Sequence, residues 1–120
     1  MKNPSLSFPR ELILKKISSF RQLYRKGRRI RGETIILFYY PSDVEPFRVG
    51  FSTRKKLGNA VRRNRARRLM RESFRLHQHE VERKMEYLFL WTGRVEGVKL
   101  DRVEKEMLAL LSRGSLLVKN

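Results

Sequence analysis

LGNAVRRNRARRLMRESFR, residues 57–75, carries arginine at positions 62, 63, 65, 67, 68, 71 and 75 and one acid, Glu72. After Gly58 it holds no glycine or proline. It reads as one helix starting at Asn59 or Ala60 and running to Glu82, with Asn59 a candidate N-cap. Like charges one turn apart cost about 0.2–0.5 kcal/mol per pair, so such a helix needs a stronger reason to form. Its periodicity supplies one. At about 100° per residue, Ala66, Leu69, Met70, Ser73, Phe74, His77 and Val81 gather on one side. Asn64, Arg68, Arg71 and Arg75 gather on the other, flanked by Arg65 and Glu72, with Arg67 at the opposite border. Burial of the apolar side outweighs the repulsion. What remains outside is almost pure arginine, whereas a merely solvated helix carries both signs of charge. The arginine fork binds phosphate oxygens bidentately and stacks on bases. Asn64 can both donate to and accept from a ribose or a base edge. The open backbone N–H groups following Gly58 favour a phosphate there.

Composition agrees with an anionic partner. The chain has 120 residues, with 29 Lys and Arg against 12 Asp and Glu, a formal charge of +17. That is costly self-repulsion unless a polyanion neutralises it; nucleic acid is the leading candidate and a membrane surface the weaker one. Hydrophobic residues at 40% argue for a folded core rather than disorder, and the length suits one domain. Cysteine is absent, which removes disulfides and thiolate metal sites from consideration. No apolar run approaches the roughly 20 residues of a membrane span. The opening MKNPSLSFPRELILKK lacks the apolar core of a secretory signal.

Residues 1–12, with Pro4 and Pro9, read as an N-terminal arm, leaving 13–120 as a single domain. Ile13, Ile17, Phe20 and Tyr24 are spaced as one helix face. Ser18 or Ser19 could cap that helix and Gly27 could end it. RRIRGE (28–33) reads as a basic connector. TIILFYY (34–40) reads as a strand apolar on both faces, with Ile36, Phe38 and Tyr40 on one of them. After the turn PSDVEP, FRVGFST (47–53) alternates as a second strand, and the short loop predicts a hairpin between the two. EYLFLW (86–91) is the third strand. DRVEKEMLALL (101–111) is the last helix, with Asp101 as N-cap, Glu104 in capping-box spacing and Gly114 at its end. The expected order is α-β-β-α-β-α in an α+β two-layer sandwich.

A specific resemblance lies in these segments. RKKLGNAVRRNRARRLMRESFR (54–75), with Arg-Asn-Arg at 63–65, closely resembles the signature of the protein subunit of bacterial ribonuclease P. SSFRQLYRKGRRI resembles that family's first helix and basic turn, and FRVGFSTRKKLGNA its second strand and the approach to the long helix. The resemblance implies a left-handed βαβ crossover, where sequence alone predicts the common right-handed form, and a fold similar to the second domain of ribosomal protein S5. It implies an accessory protein, one per catalytic RNA, in the bacterial cytoplasm. The RNA, with Mg²⁺ held mainly by the RNA, would remove the 5′ leader of precursor tRNA. There would be no organic cofactor and no catalytic side chain. Arg54, Lys55, Lys56, Asn59, Arg62, Arg63, Asn64, Arg65, Arg67, Arg68, Arg71 and Arg75 would face the catalytic RNA. Phe20, Tyr24, Ile36 and Phe38 would line a cleft for the leader, where aromatic rings can stack unpaired bases with little sequence preference.

Other readings compete. RRNRARR also resembles the basic region of zipper-type DNA-binding factors, but leucine heptads do not follow it. A ribosome-associated RNA binder without a processing role would need the same surface. HQHE (77–80) invites a zinc reading, yet residues two apart do not share a helix face and no third ligand is evident. After the third strand, LWTGRVEG departs from the short Ala-Arg-like ending typical of the family, and Trp91 reads as core.

Overall fold

A computed structural model describes residues 8–14 and 16–118. Four strands form one sheet: β1 (Arg28–Arg31), β2 (Ile35–Pro41), β3 (Arg48–Thr53) and β4 (Met85–Trp91). Three helices accompany them: α1 (Ile17–Lys26), α2 (Ala60–His77) and α3 (Leu100–Arg113). The sheet order is β1-β2-β4-β3, with β1–β2 and β2–β4 antiparallel and β3–β4 parallel.

Two expectations are corrected. The 28–33 connector is in fact strand β1, whose alternation Arg29-Ile30-Arg31 sends Ile30 onto the main core and both arginines to the other face. The hairpin predicted between the second and third strands does not form, because β4 lies between them. β2 is apolar on both faces and thereby suited to a central position with a neighbour on each side. β4 takes the inner place beside it, which leaves β3 to pair with β4 in parallel through the α2 crossover.

Register fixes the two faces. Ile30, Leu37, Phe89 and Phe51 lie in one row across the sheet, beside Tyr39, Tyr87 and Val49. Onto this face pack α2 and α3 through Ala66, Met70, Phe74, Val103, Met107 and Leu110. Sheet and helix pair are the two main layers. On the opposite face, Arg29, Phe38, Leu88 and Gly50 form one row and Arg31, Ile36, Leu90 and Ser52 the next. α1 lies against this second face, with Leu23 fully buried beside Ile36, Phe38 and Leu88.

Helix ends differ from the sequence reading in instructive ways. α1 starts at Ile17 with Lys16 in the cap position, so Ser18 and Ser19 fall inside the first turn. Ile13, expected on that helix, is extended and bridges to Val49, while Leu14 N–H donates to the Val49 carbonyl. This short segment covers the outer edge of β3. α2 ends at His77 rather than Glu82, followed by a single 3-10 turn over residues 78–80. Val81 then bridges to Leu117 and is buried. α3 has Lys99 in the cap position, two residues earlier than predicted; the Asp101 carboxylate instead accepts the neighbouring Arg102 N–H. No capping box forms. Of the arm, residues 1–7 lie outside the described residues; Leu12 is buried and Phe8 packs on the core.

Candidate nucleic-acid interface

The basic helix is held by its two ends and one face. Gly58 has φ 133°, a conformation costly to any side chain, and it turns the chain from the 3-10 turn at Lys55–Leu57 into α2. Asn59 Oδ1 accepts the Arg62 N–H at 3.1 Å, the predicted N-cap. Ala66, Met70, Ser73 and Phe74 are buried, while Leu69 and His77 are half-buried at the margins.

The arginines are sorted more finely than periodicity foretold. Arg62 Nε lies 3.0 Å from Glu96 Oε1. Arg63 is half-buried, with Nε enclosed and without a hydrogen-bond partner among the described residues. Arg65 donates through NH2 to the Val98 carbonyl at 3.0 Å, so one edge of its fork is structural. Arg67 donates to Asn64 Oδ1 at 2.5 Å. Arg71 lies over the ring of Phe8, 5.7 Å from its centre. Arg75 grips Glu72 with two bonds, of 3.0 and 2.5 Å. That hydrogen bond holds the Glu72 carboxyl below its ordinary range and raises the Arg75 guanidinium. The Glu96 carboxyl is also lowered, first by its own backbone N–H and further by the charge of Arg62. Arg68 stands exposed, with no hydrogen bond or ion pair among the described residues. Arg54, Lys55, Lys56 and Asn59 are exposed ahead of the helix. Arg54, Lys56, Arg62 and Arg94 line one hollow of about 640 Å³ beside the end of β4.

The predicted cleft residues also come together. Phe20, Ile36 and Phe38 belong to one apolar cluster with Leu14, Leu23 and Leu88. Phe20 lies directly on Gly50: a Cβ there would stand 2.8 and 3.1 Å from its ring. Ile36 and Phe38 are only 2% and 6% exposed, so they form the floor rather than the working surface. The exposed ring is Tyr24, 41% accessible and edge-on to Phe38 at 4.9 Å between ring centres. Tyr40 and Leu90 are half-buried beside them. Arg29 and Arg31 share this sheet face, and sequence reasoning missed them by treating 28–33 as a loop. The alternating Arg-Ile-Arg pattern was the available signal.

The two predicted surfaces are contiguous. A groove of about 390 Å³ has Ile13, Leu14, Phe20 and Phe51 on one side and Asn64, Arg67, Arg68 and Arg71 on the other. Aromatic and apolar groups thus meet guanidinium groups across a single opening, the combination that binds unpaired nucleic acid. A family model described as Ribonuclease P matches residues 8–114, the span that contains all of these elements.

The chain belongs to the ribonuclease P protein family.

Relatives agree. It is 35% identical over 107 residues to the ribonuclease P protein component of Natranaerobius thermophilus, covering 89% of this chain and 93% of that one. It is 32% identical over 104 residues to that of Alkaliphilus metalliredigens, covering 87% and 94%. In structure it is similar to the RNase P protein of Staphylococcus aureus, with a TM-score of 0.78 at 24% identity over 88% of this chain and 96% of the other. The Thermotoga maritima RNase P protein gives 0.76 at 23% identity over 83% and 94%. At these identities the structures speak for the fold, and the α+β arrangement of one four-stranded sheet with its helices is that of ribonuclease P proteins.

Elsewhere on the chain, Trp91 is wholly buried and donates Nε1–H to the Gly93 carbonyl, a core residue as predicted. His77 Nδ1 lies 2.7 Å from Glu80 and Nε2 3.6 Å from Glu104, whereas His79 is exposed. Among the described residues no three His, Asp or Glu side chains are grouped to hold a metal ion. Nor is any helix among them long and apolar enough to cross a membrane.

Proposed function

We propose that this chain is the accessory protein of a ribonuclease P ribonucleoprotein, one copy per catalytic RNA in the bacterial cytoplasm, assisting removal of the 5′ leader from precursor tRNA. Family membership supports the coarser statement, a ribonuclease P component acting in tRNA processing. One observation carries the finer one: the groove that sets Phe20 and Phe51 against Asn64, Arg68 and Arg71. A leader strand in or beside it would find rings for its bases and guanidinium groups for its phosphates, and the rest of the arginine ridge would face the folded RNA partner. Phosphodiester hydrolysis is then the work of the RNA and its Mg²⁺. The protein contributes positive charge that lowers the Mg²⁺ needed for RNA folding and substrate docking. No side chain of this chain is assigned a chemical step.

The test is reconstitution with a bacterial ribonuclease P RNA and precursor tRNA at low Mg²⁺. RNA-dependent 5′ cleavage enhanced by the protein is expected; cleavage by the protein alone, or no enhancement, overturns the reading. In the same assay Tyr24→Ala, at an exposed ring, weakens binding of leader-bearing precursor about fivefold or more and leaves mature tRNA unaffected. Equal loss for both substrates removes Tyr24 from the leader path.

A further inference from the structure

A second trough lies on the other flank of the arginine ridge. It measures about 950 Å³ and runs along the outer face of α2. Its apolar lining comes from Val61 and Leu69 on α2, from Val98 and Leu100 at the start of α3, and from Phe8. Arg65, Arg68, Arg71, Arg75 and Lys99 supply charge along it, and the half-exposed carboxylate of Glu72 is held by Arg75. The Val98–Leu100 segment is tied to α2, since Arg65 holds the Val98 carbonyl at 3.0 Å.

Val61 is the odd residue. It sits in the first turn of the most basic helix, is 75% exposed and belongs to neither apolar cluster. A β-branched side chain at such a place brings no helix propensity and no burial to the free protein. A single exposed valine means little, but this one shares the trough with Leu69, Val98 and Leu100, beside Arg68 and Lys99, which have no ion pair among the described residues. A paired RNA helix offers phosphates and no apolar face, so it would satisfy Arg68 and Lys99 and leave the apolar lining wet. An unpaired nucleotide offers both a flat apolar base face and a phosphate.

We propose that this trough takes one unpaired nucleotide of the partner RNA, its base against Val61 and Leu100 and its phosphate on Lys99 and on Arg68, the ridge residue that both grooves share. The inference rests on the ribonuclease P reading above. It assigns Val61 an apolar role in RNA recognition that charge removal does not mimic.

The experiment measures affinity for a bacterial ribonuclease P RNA across a salt series, with Val61→Ala beside the unaltered protein. Loss of about fivefold in affinity with an unchanged salt slope is expected, because the lost contact is apolar and releases no counterion. In parallel, a photoreactive benzophenone amino acid placed at position 61 is expected to crosslink to a nucleotide unpaired in that RNA. Unchanged affinity, a changed slope, or crosslinks confined to paired nucleotides overturn the proposal while leaving the ribonuclease P reading intact. Failure of the unaltered protein to bind the RNA at all sinks that reading, and the subsite with it. Crosslinking to protein in place of RNA assigns the trough to a protein partner instead and likewise overturns the proposal.

Discussion

Gly50 decides how closely α1 can lie on the sheet. Phe20 occupies the space that a Cβ would take, at 2.8 Å from one ring carbon. Gly50→Ala must push the ring and with it α1 off the sheet, at an expected cost of about 1–3 kcal/mol in urea unfolding. A change below 0.5 kcal/mol would show that α1 repositions freely. Tyr87 gives a pH signature. Burial, and secondarily the nearby Glu82 carboxylate, push its phenol well above the usual range; its hydroxyl donates to the Glu82 carbonyl at 2.6 Å. The folded pKa exceeds the unfolded one, so the contribution is full below the ordinary tyrosine value of about 10 and is lost as pH rises above it. Melting temperature should therefore fall from about pH 10 upward, and Tyr87→Phe should flatten that decline. An equal decline in both proteins would assign it to other groups. Neither residue's role was legible in sequence: Gly50 looked like any small residue in a strand, and Tyr87 like any core aromatic.

α2 shows what amphipathicity can and cannot tell. Its buried positions followed from spacing, because the helical repeat fixes which side chains share a face. The partners of its arginines did not. Arg62 meets Glu96, Arg65 meets Val98 and Arg71 meets Phe8, all supplied by segments far away or across the fold. Arg68 is the stripe residue with no such engagement among the described residues, so it isolates the electrostatic contact. Arg68→Gln should lower the magnitude of the salt slope of RNA binding by about 0.7–0.9 without loss of thermal stability. An unchanged slope would remove Arg68 from the phosphate contacts. Strand β1 and the start of α3 were misread for a common reason, that local signals were weak or misleading. Three arginines in RRIR suggest a loop, yet pairing with β2 and burial of Ile30 make a strand. Glu106 shows the same dependence on context. Its carboxylate accepts the N–H groups of Thr34 and Ile35 at 2.8 and 2.6 Å, docking α3 onto the entrance to β2.

For the whole molecule, charge is the dominant fact. A net +17 on a chain whose Cα radius of gyration is 13.7 Å stores repulsion that a polyanion or screening salt relieves. Raising NaCl from about 0.05 to about 0.3 M should raise the melting temperature of the free protein, since the Debye length shortens from about 14 to about 6 Å, enough to screen the repulsion between neighbouring arginines. A melting temperature that falls or stays level would show that specific ion pairs such as Arg75–Glu72 outweigh the general repulsion. The sequence by itself determined the basic helix, its buried face, three of the four strands, the excess positive charge and, through the run at 54–75, the family. These are properties of local periodicity, composition and residue order. Tertiary structure alone decided that β4 separates β2 from β3, that β1 carries Arg29 and Arg31 onto the cleft face, and that Phe20 faces Arg68 across one groove. Strand order and groove walls depend on which buried faces complement each other across long sequence separations, and no local period records that choice.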